Sequence, residues 1–343
     1  MAQAKMIAAV VTEPNKLVFE ERAIPEPKQD EVVIQVKATG LCHSDCFAMT
    51  AGFPGIKLPL VPGHEVAGVI VAVGPGHRTA GWKEGDHVGV GWLGTCCNEP
   101  VCEACTAGDF ITCPKIRVTG IHNDGGYATY MVARGDSCAR MPEGMDFTQA
   151  APLCCAGVTV FNALRHNVRP AGALVAVQGI GGLGHLGIQY ASKMGYRVVA
   201  VSRGNAKTEL AMSLGAHHYI DSEAGDVAEA LQALGGAAIV LATAFNAAAM
   251  TKLINGLARN GVLIVLGADH EPIEVTPLQL ITARKSVQGH PSGTARDSQD
   301  AMAFAQLHGV KVTTKIFPFP KAKEAYDAMM AGSFRVVLDM TQE

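Results

Sequence analysis

The stretch Leu174-Val175-Ala176-Val177-Gln178-Gly179-Ile180-Gly181-Gly182-Leu183-Gly184-His185-Leu186-Gly187 decides how much of the chain folds. A short apolar strand runs directly into G-x-G-x-x-G, and the amphipathic segment Ile188 to Met194 continues the run as a helix. Glycines at these positions permit a tight turn and let backbone N–H groups at a helix N-terminus approach a pyrophosphate. A second apolar strand, Arg197 to Val201, follows, which is the context a dinucleotide-binding turn requires. Gly179, Gly181, Gly182, Leu183 and Gly184 are therefore candidate cofactor-binding residues. The competing reading is that the glycines serve only strand–helix packing.

The same alternation extends outward from this turn. Apolar runs at Ala173 to Val177, Arg197 to Val201, His218 to Ile220, Ala237 to Leu241 and Val262 to Leu266 are separated by amphipathic segments such as Ala206 to Leu214 and Asp226 to Leu234. Strands apolar on both faces and joined by helices predict a parallel, doubly wound α/β sheet over about 151–289. From Met6 to about Ala139 the apolar runs are short, rich in valine and isoleucine, and punctuated by Pro and Gly, as at Pro25-Glu26-Pro27 and Pro75-Gly76, which predicts a β-rich domain. Beyond Gly289 the expected elements are a helix at Asp300 to Leu307 and strands at Val310 to Phe317 and Arg335 to Asp339.

Composition bounds the function. A chain of 343 residues suggests two domains at about 150 residues each. Lys+Arg 28 against Asp+Glu 31, a net charge of -3 and no basic tract argue against a nucleic-acid partner. The uncharged windows Ala171 to Ser192 and Ala230 to Thr251 are broken by glycines and read as strand-turn-helix units, not membrane spans. With no secretion signal recognised near Met1, a soluble cytoplasmic protein is expected.

Two residues past the glycine turn bear on cofactor choice. The position closing the second strand commonly carries an acid for the ribose diol of NAD, but here it is Ser202, followed by Arg203, with Lys207 a turn further on. Losing the acid and gaining a cation suits a 2′-phosphate and favours NADP(H) over NAD(H). A solvated arginine beside a helix start is the alternative.

Ten cysteines are many for a reducing compartment unless they are ligands. Cys97, Cys102, Cys105 and Cys113 form C-x4-C-x2-C-x7-C, with Cys96 immediately before and able to replace Cys97. Four thiolates fill a tetrahedral zinc and leave no open position, so a lobe at 94–114 is a structural zinc site. A dispersed set, Cys42, His64 and Cys155, leaves one position open for water or substrate, the catalytic type of zinc site. Spacing alone does not assemble these three residues.

Gly40 to Asp45, Gly63-His64-Glu65, the cysteine lobe, Cys155 to Thr159, the glycine turn and Phe334-Arg335-Val336-Val337 occur together in this order. In that combination the sequence resembles the zinc-dependent medium-chain alcohol dehydrogenases from Met6 to Met340. The resemblance implies a GroES-like catalytic domain built from 1–150 and 290–343, with a Rossmann domain at 151–289 inserted between them. It implies one catalytic and one structural zinc, with Cys42, His64 and Cys155 as catalytic ligands, Glu65 as an alternate ligand, Asp45 orienting His64, and Cys154 in the core. Ser44 would take the hydroxyl proton, while His43, Thr159, Leu266 and Arg335 would meet the cofactor. Phe53 and Trp92 would line an apolar pocket suited to a small uncharged alcohol or aldehyde, in a homo-oligomer, tetramer or dimer. The lobe is two residues longer than the family's usual C-x2-C between its first and second ligands, and Phe47 stands where several members have a histidine. Competing functions are a polyol or amino-alcohol dehydrogenase on this scaffold, and a zinc-free, non-catalytic dinucleotide-binding protein.

Overall fold

Strands from the early and the late part of the chain meet in one sheet. In the computed structural model, which describes residues 4–332 and 334–342, strand Arg335–Asp339 pairs antiparallel with Glu31–Leu41 and parallel with Thr314–Pro318. The sheet continues through Glu65–Val73, His87–Val90 and Cys138–Arg140, and Tyr130–Arg134 also pairs with Glu31–Leu41. The hairpin Lys5–Glu13/Lys16–Ala23 forms a separate two-stranded sheet, turned with Asn15 at a φ of 63°, a left-handed conformation that Asn tolerates better than most residues. Buried Ile34, Val36, Val66, Ile70, Val88 and Val90 form one core of this sheet. Each such side chain contributes about 1.5–3 kcal/mol when fully buried.

The first compact unit runs to Val158 and resumes at Ser292; the second is Thr159–Pro291. The chain changes unit at 158/159 and 291/292, where the sequence pattern suggested 150/151 and 289/290. The reason for the first difference is a helical stretch that carries the first unit's packing further. Helix Phe147–Pro152, capped by Asp146 on the amides of Thr148 and Gln149, packs on Glu31–Leu41 and Glu65–Val73 before the chain continues. Phe147–Arg165 is 19 residues long and, by length and composition only, apolar enough to cross a membrane; 78% of its most apolar window is buried in the fold.

In the second unit the six strands are all parallel, in the order His218–Asp221, Arg197–Ser202, Leu174–Gln178, Ala237–Ala242, Leu257–Val265, Ser286–Gly289. Counted along the chain this is 3-2-1-4-5-6, the doubly wound order whose switch point lies beside the first strand. The last strand was not visible in the sequence. It lies at the sheet edge, pairs only with Leu257–Val265 and is largely exposed, so it lacks the apolar run of a covered strand. In the returning C-terminal segment the helix is longer than expected, Ala295–His308, and the strand begins only at Thr314.

Candidate active site and metal centres

The first cluster is built by three separate backbone features of the first unit. Cys42 follows strand Glu31–Leu41, and His64 and Glu65 stand where strand Glu65–Val73 begins. Cys155 sits in a single π-helical turn, Leu153–Gly157, between helices Phe147–Pro152 and Val158–Arg165. Pro152 has no N–H to donate within the helix, and a wider turn follows it. The ligand atoms of Cys42, His64, Glu65 and Cys155 all lie within 4.8 Å of one another, and the two thiol sulfurs are 3.9 Å apart.

Asp45 anchors this arrangement. Its Oδ2 accepts from the Cys42 amide and from the Tyr127 hydroxyl, each at 2.9 Å, and its Oδ1 stands 3.1 Å from His64 Nδ1. The other imidazole nitrogen, Nε2, is buried with no hydrogen-bond partner among the described residues. An orphaned buried nitrogen beside two thiols is costly unless an ion takes it up. Burial opposes charge on His64, but Asp45 and Cys42 together outweigh it and raise the imidazole's pKa well above its usual value. Hydrogen bonding from Cys155 holds Cys42 well below the usual thiol range despite burial, and the same contact raises Cys155.

Glu65 is fully buried, and burial pushes its carboxyl up to about 7 against the attraction of Arg335. Arg335, expected at the cofactor, here donates to Glu65 Oε1, while Oε2 has no partner among the described residues. Gly40 makes room for that oxygen, since a Cβ there would lie 2.0 Å from it. Cys154 faces away from this cluster: its sulfur would lie 2.4 Å from a Cβ at Gly89, and burial pushes its pKa up to about 12.

Aromatic rings continue from the cluster. Trp92 meets His64 edge-on with centroids 4.9 Å apart, Phe53 meets Trp92 at 6.4 Å, and Phe47 meets Phe53 at 5.3 Å. Ser44 precedes helix Asp45–Thr50 without its side chain capping it. His43 is exposed.

The second cluster gathers Cys97, Cys102, Cys105 and Cys113, again within 4.8 Å. The sulfur of Cys97 is 3.7 Å from that of Cys105 and 3.6 Å from that of Cys113. Cys96 is outside the group. The two extra residues of the lobe are accommodated between Cys97 and Cys102, with Asn98 at a φ of 51°.

The glycine turn leads from strand Leu174–Gln178 into helix Gly184–Lys193. Gly179 has a φ of 89°, and a Cβ at Gly184 would lie 1.8 Å from the Gly179 carbonyl, so both are required by the turn itself. A Cβ at Gly181 would meet nothing within 4 Å, which leaves the open approach a pyrophosphate needs. Thr159 is buried and Leu266 half-buried. Lys207 donates to the Ile180 carbonyl at 2.8 Å, and Arg203 is exposed beside half-buried Ser202. Asp221, paired in register with Ser202 on the next strand, accepts from the amides of Gly204 and Glu223.

Sequence reasoning missed Tyr127 and His122. Tyr127 is fully buried, and Gly63 leaves space for its ring, with a Cβ there falling 2.4 Å from Cδ1. The neighbouring Gly125-Gly126 pair gives a packing signal but no indication that the hydroxyl reaches Asp45.

A parallel dinucleotide fold joined to a β-rich unit carrying two zinc-compatible donor sets defines the class of zinc-binding dehydrogenases. Residues 28–143 match the alcohol dehydrogenase GroES-like domain, and residues 182–307 match the zinc-binding dehydrogenase domain. The alcohol dehydrogenase patD of Penicillium expansum is 47% identical over 326 residues, covering 94% of each chain. An alcohol dehydrogenase of Geobacillus stearothermophilus is 36% identical over 336 residues, covering 96% of this chain and 98% of its own. A solved cinnamyl alcohol dehydrogenase from Sorghum bicolor superposes with a TM-score of 0.88 at 28% identity, covering 99% of both chains. The chain belongs to the zinc-dependent medium-chain alcohol dehydrogenase family, whose members are oxidoreductases.

Proposed function

We propose that the protein transfers hydride between a small uncharged alcohol or aldehyde and NADP(H), using a catalytic zinc held by Cys42, His64 and Cys155 with Glu65 as an alternate ligand. The observation that carries this reading is the convergence of those ligand atoms within 4.8 Å around an unpartnered His64 Nε2. Two thiolates and one imidazole suit zinc and leave a fourth position open. When bound, zinc supplies Lewis-acid polarisation of a substrate oxygen and lowers the pKa of its hydroxyl.

Asp45 holds the His64 tautomer that leaves Nε2 as the ligand, and Tyr127 and the Cys42 amide hold Asp45. Ser44 takes up the substrate's hydroxyl proton. Phe47 offers no acceptor beyond Ser44, so the proton would pass from Ser44 to water by a route that does not use residue 47. Phe53 and Trp92 supply an aromatic wall without a cation, which disfavours carboxylate substrates. The nicotinamide would supply the hydride chemistry when bound; the Gly179–Gly184 turn would hold its pyrophosphate, and Thr159 and Leu266 are the residues of the same unit that would hold its ring. Ser202, Arg203 and Lys207 favour the 2′-phosphate. The four-cysteine lobe holds a second zinc for structure, and the working form is a cytoplasmic tetramer or dimer.

Steady-state rates for a panel of alcohols and aldehydes with NAD(H) and NADP(H) in parallel test the reading. Turnover of uncharged alcohols with NADP is expected; a preference for polyols, or no turnover of any alcohol by zinc-loaded protein, contradicts it.

A further inference from the structure

His122 belongs to neither ligand set. Its Nδ1 lies 2.9 Å from the Val118 amide, and its Nε2 lies 3.0 Å from the Pro54 carbonyl. An amide only donates and a carbonyl only accepts, so the two bonds together require the lone pair on Nδ1 and the proton on Nε2. The ring is therefore a neutral bridge between two backbone segments. One end is braced by Arg117, which donates to the His122 carbonyl at 2.5 Å and to Asn123 Oδ1 at 2.9 Å. The other end holds a turn with Gly55 at a φ of 78°, closed by the Ile56 amide donating to the Phe53 carbonyl at 3.3 Å.

That turn carries Phe53, and the His122 ring also meets the Phe53 ring at 5.7 Å and 65°. A series of ring contacts thus runs from His64 through Trp92 and Phe53 to His122. Phe53 lies outside regular secondary structure, so its position depends on its packing and on the bridge to Pro54.

We propose that His122 is a positioning residue for substrate selection: it holds Phe53 as the outer aromatic wall beyond Trp92 and so favours aryl alcohols and aldehydes over short aliphatic ones. The inference rests on the alcohol dehydrogenase reading above. An aryl substrate gains edge or offset contacts with Phe53 and Trp92 that a two-carbon substrate cannot make. Releasing the Phe53 turn should therefore weaken aryl binding and leave the chemical step largely untouched.

The test compares benzyl alcohol with ethanol in the zinc-loaded wild type, His122→Ala, His122→Leu and His122→Gln. The Leu variant keeps bulk without hydrogen bonds and serves if the Ala variant does not fold. In Ala or Leu, KM for benzyl alcohol is expected to rise about tenfold, equivalent to about 1.4 kcal/mol, with kcat and the KM for ethanol nearly unchanged. Gln can accept from Val118 and donate to Pro54 through its amide, and should restore most of the benzyl alcohol KM. Equal changes for both alcohols, no change for either, or no rescue by Gln would overturn the proposal while leaving the dehydrogenase reading intact. A wild type that oxidises neither alcohol would overturn the proposal, and one that oxidises no alcohol of the wider panel would overturn the dehydrogenase reading as well.

Discussion

The phenol of Tyr127 donates to Asp45 Oδ2 at 2.9 Å, while the other oxygen of the same carboxylate stands 3.1 Å from His64 Nδ1. Tyr127 thus acts on the metal site through two intervening groups. Burial and the Asp45 charge keep its hydroxyl protonated, raising its pKa well above the usual value. Partners of this kind typically tune metal affinity 10–100-fold, roughly. Tyr127→Phe should therefore lower zinc affinity by about tenfold in a chelator competition, with the glycine-turn unit unaffected. Unchanged affinity would assign Tyr127 to packing alone.

Adjacent cysteines provide a sharper contrast. Cys155 faces Cys42, whereas Cys154 packs on Gly89. Cys155→Ala is expected to lose the catalytic zinc and alcohol oxidation, while Cys154→Ala keeps both with a modest loss of stability from the vacated volume. Zinc content and specific activity of the two proteins decide the matter; the reverse pattern would overturn the ligand assignment.

In the cysteine lobe, Cys105→Ala should remove one zinc and lower Tm, because structural zinc couples roughly 10–16 kcal/mol of binding to folding in small Cys-rich units. Cys96→Ser should leave zinc content and Tm unchanged, since Cys96 stands outside the four-sulfur group. Loss of zinc in the Cys96 variant would place the first ligand one residue earlier.

Cofactor preference turns on the exposed rim at Ser202 and Arg203. Hydrogen bonds to a charged group contribute about 1.5–3 kcal/mol each, and solvent screening pulls the sum down, so discrimination of roughly 10²-fold in kcat/KM for NADP over NAD is expected. Ser202→Asp with Arg203→Gly should reverse it by adding a diol acceptor and removing the phosphate anchor. A wild-type preference for NAD would reduce Arg203 to a solvated residue at a helix start.

The glycine turn and the cysteine lobe are legible in the sequence because each is local: a few consecutive residues contain both the spacing and its physical reason. Cys42, His64 and Cys155 are not local. A separation of 113 residues between the two cysteines is bridged by sheet register and by a π-helical turn that no periodicity announces, so their grouping needed the family resemblance. Tyr127 and His122 stayed hidden for a different reason. Their contacts, Tyr127 with Asp45 and His122 with Val118, Pro54 and Phe53, are set by tertiary packing, and neither residue type at that position carries a motif. The polar edge strand Ser286–Gly289 was missed because strand signals weaken where one side of a sheet ends in solvent.

Metal analysis coupled to activity decides whether the chain is a zinc enzyme with two distinct metal sites. Purified protein should carry two zinc ions per chain, lose alcohol oxidation when a chelator removes the more accessible ion, and regain it when zinc is returned. Full alcohol oxidation by protein free of zinc, or a zinc count that does not change when Cys155 is replaced by alanine, would rule out a catalytic zinc at Cys42, His64 and Cys155.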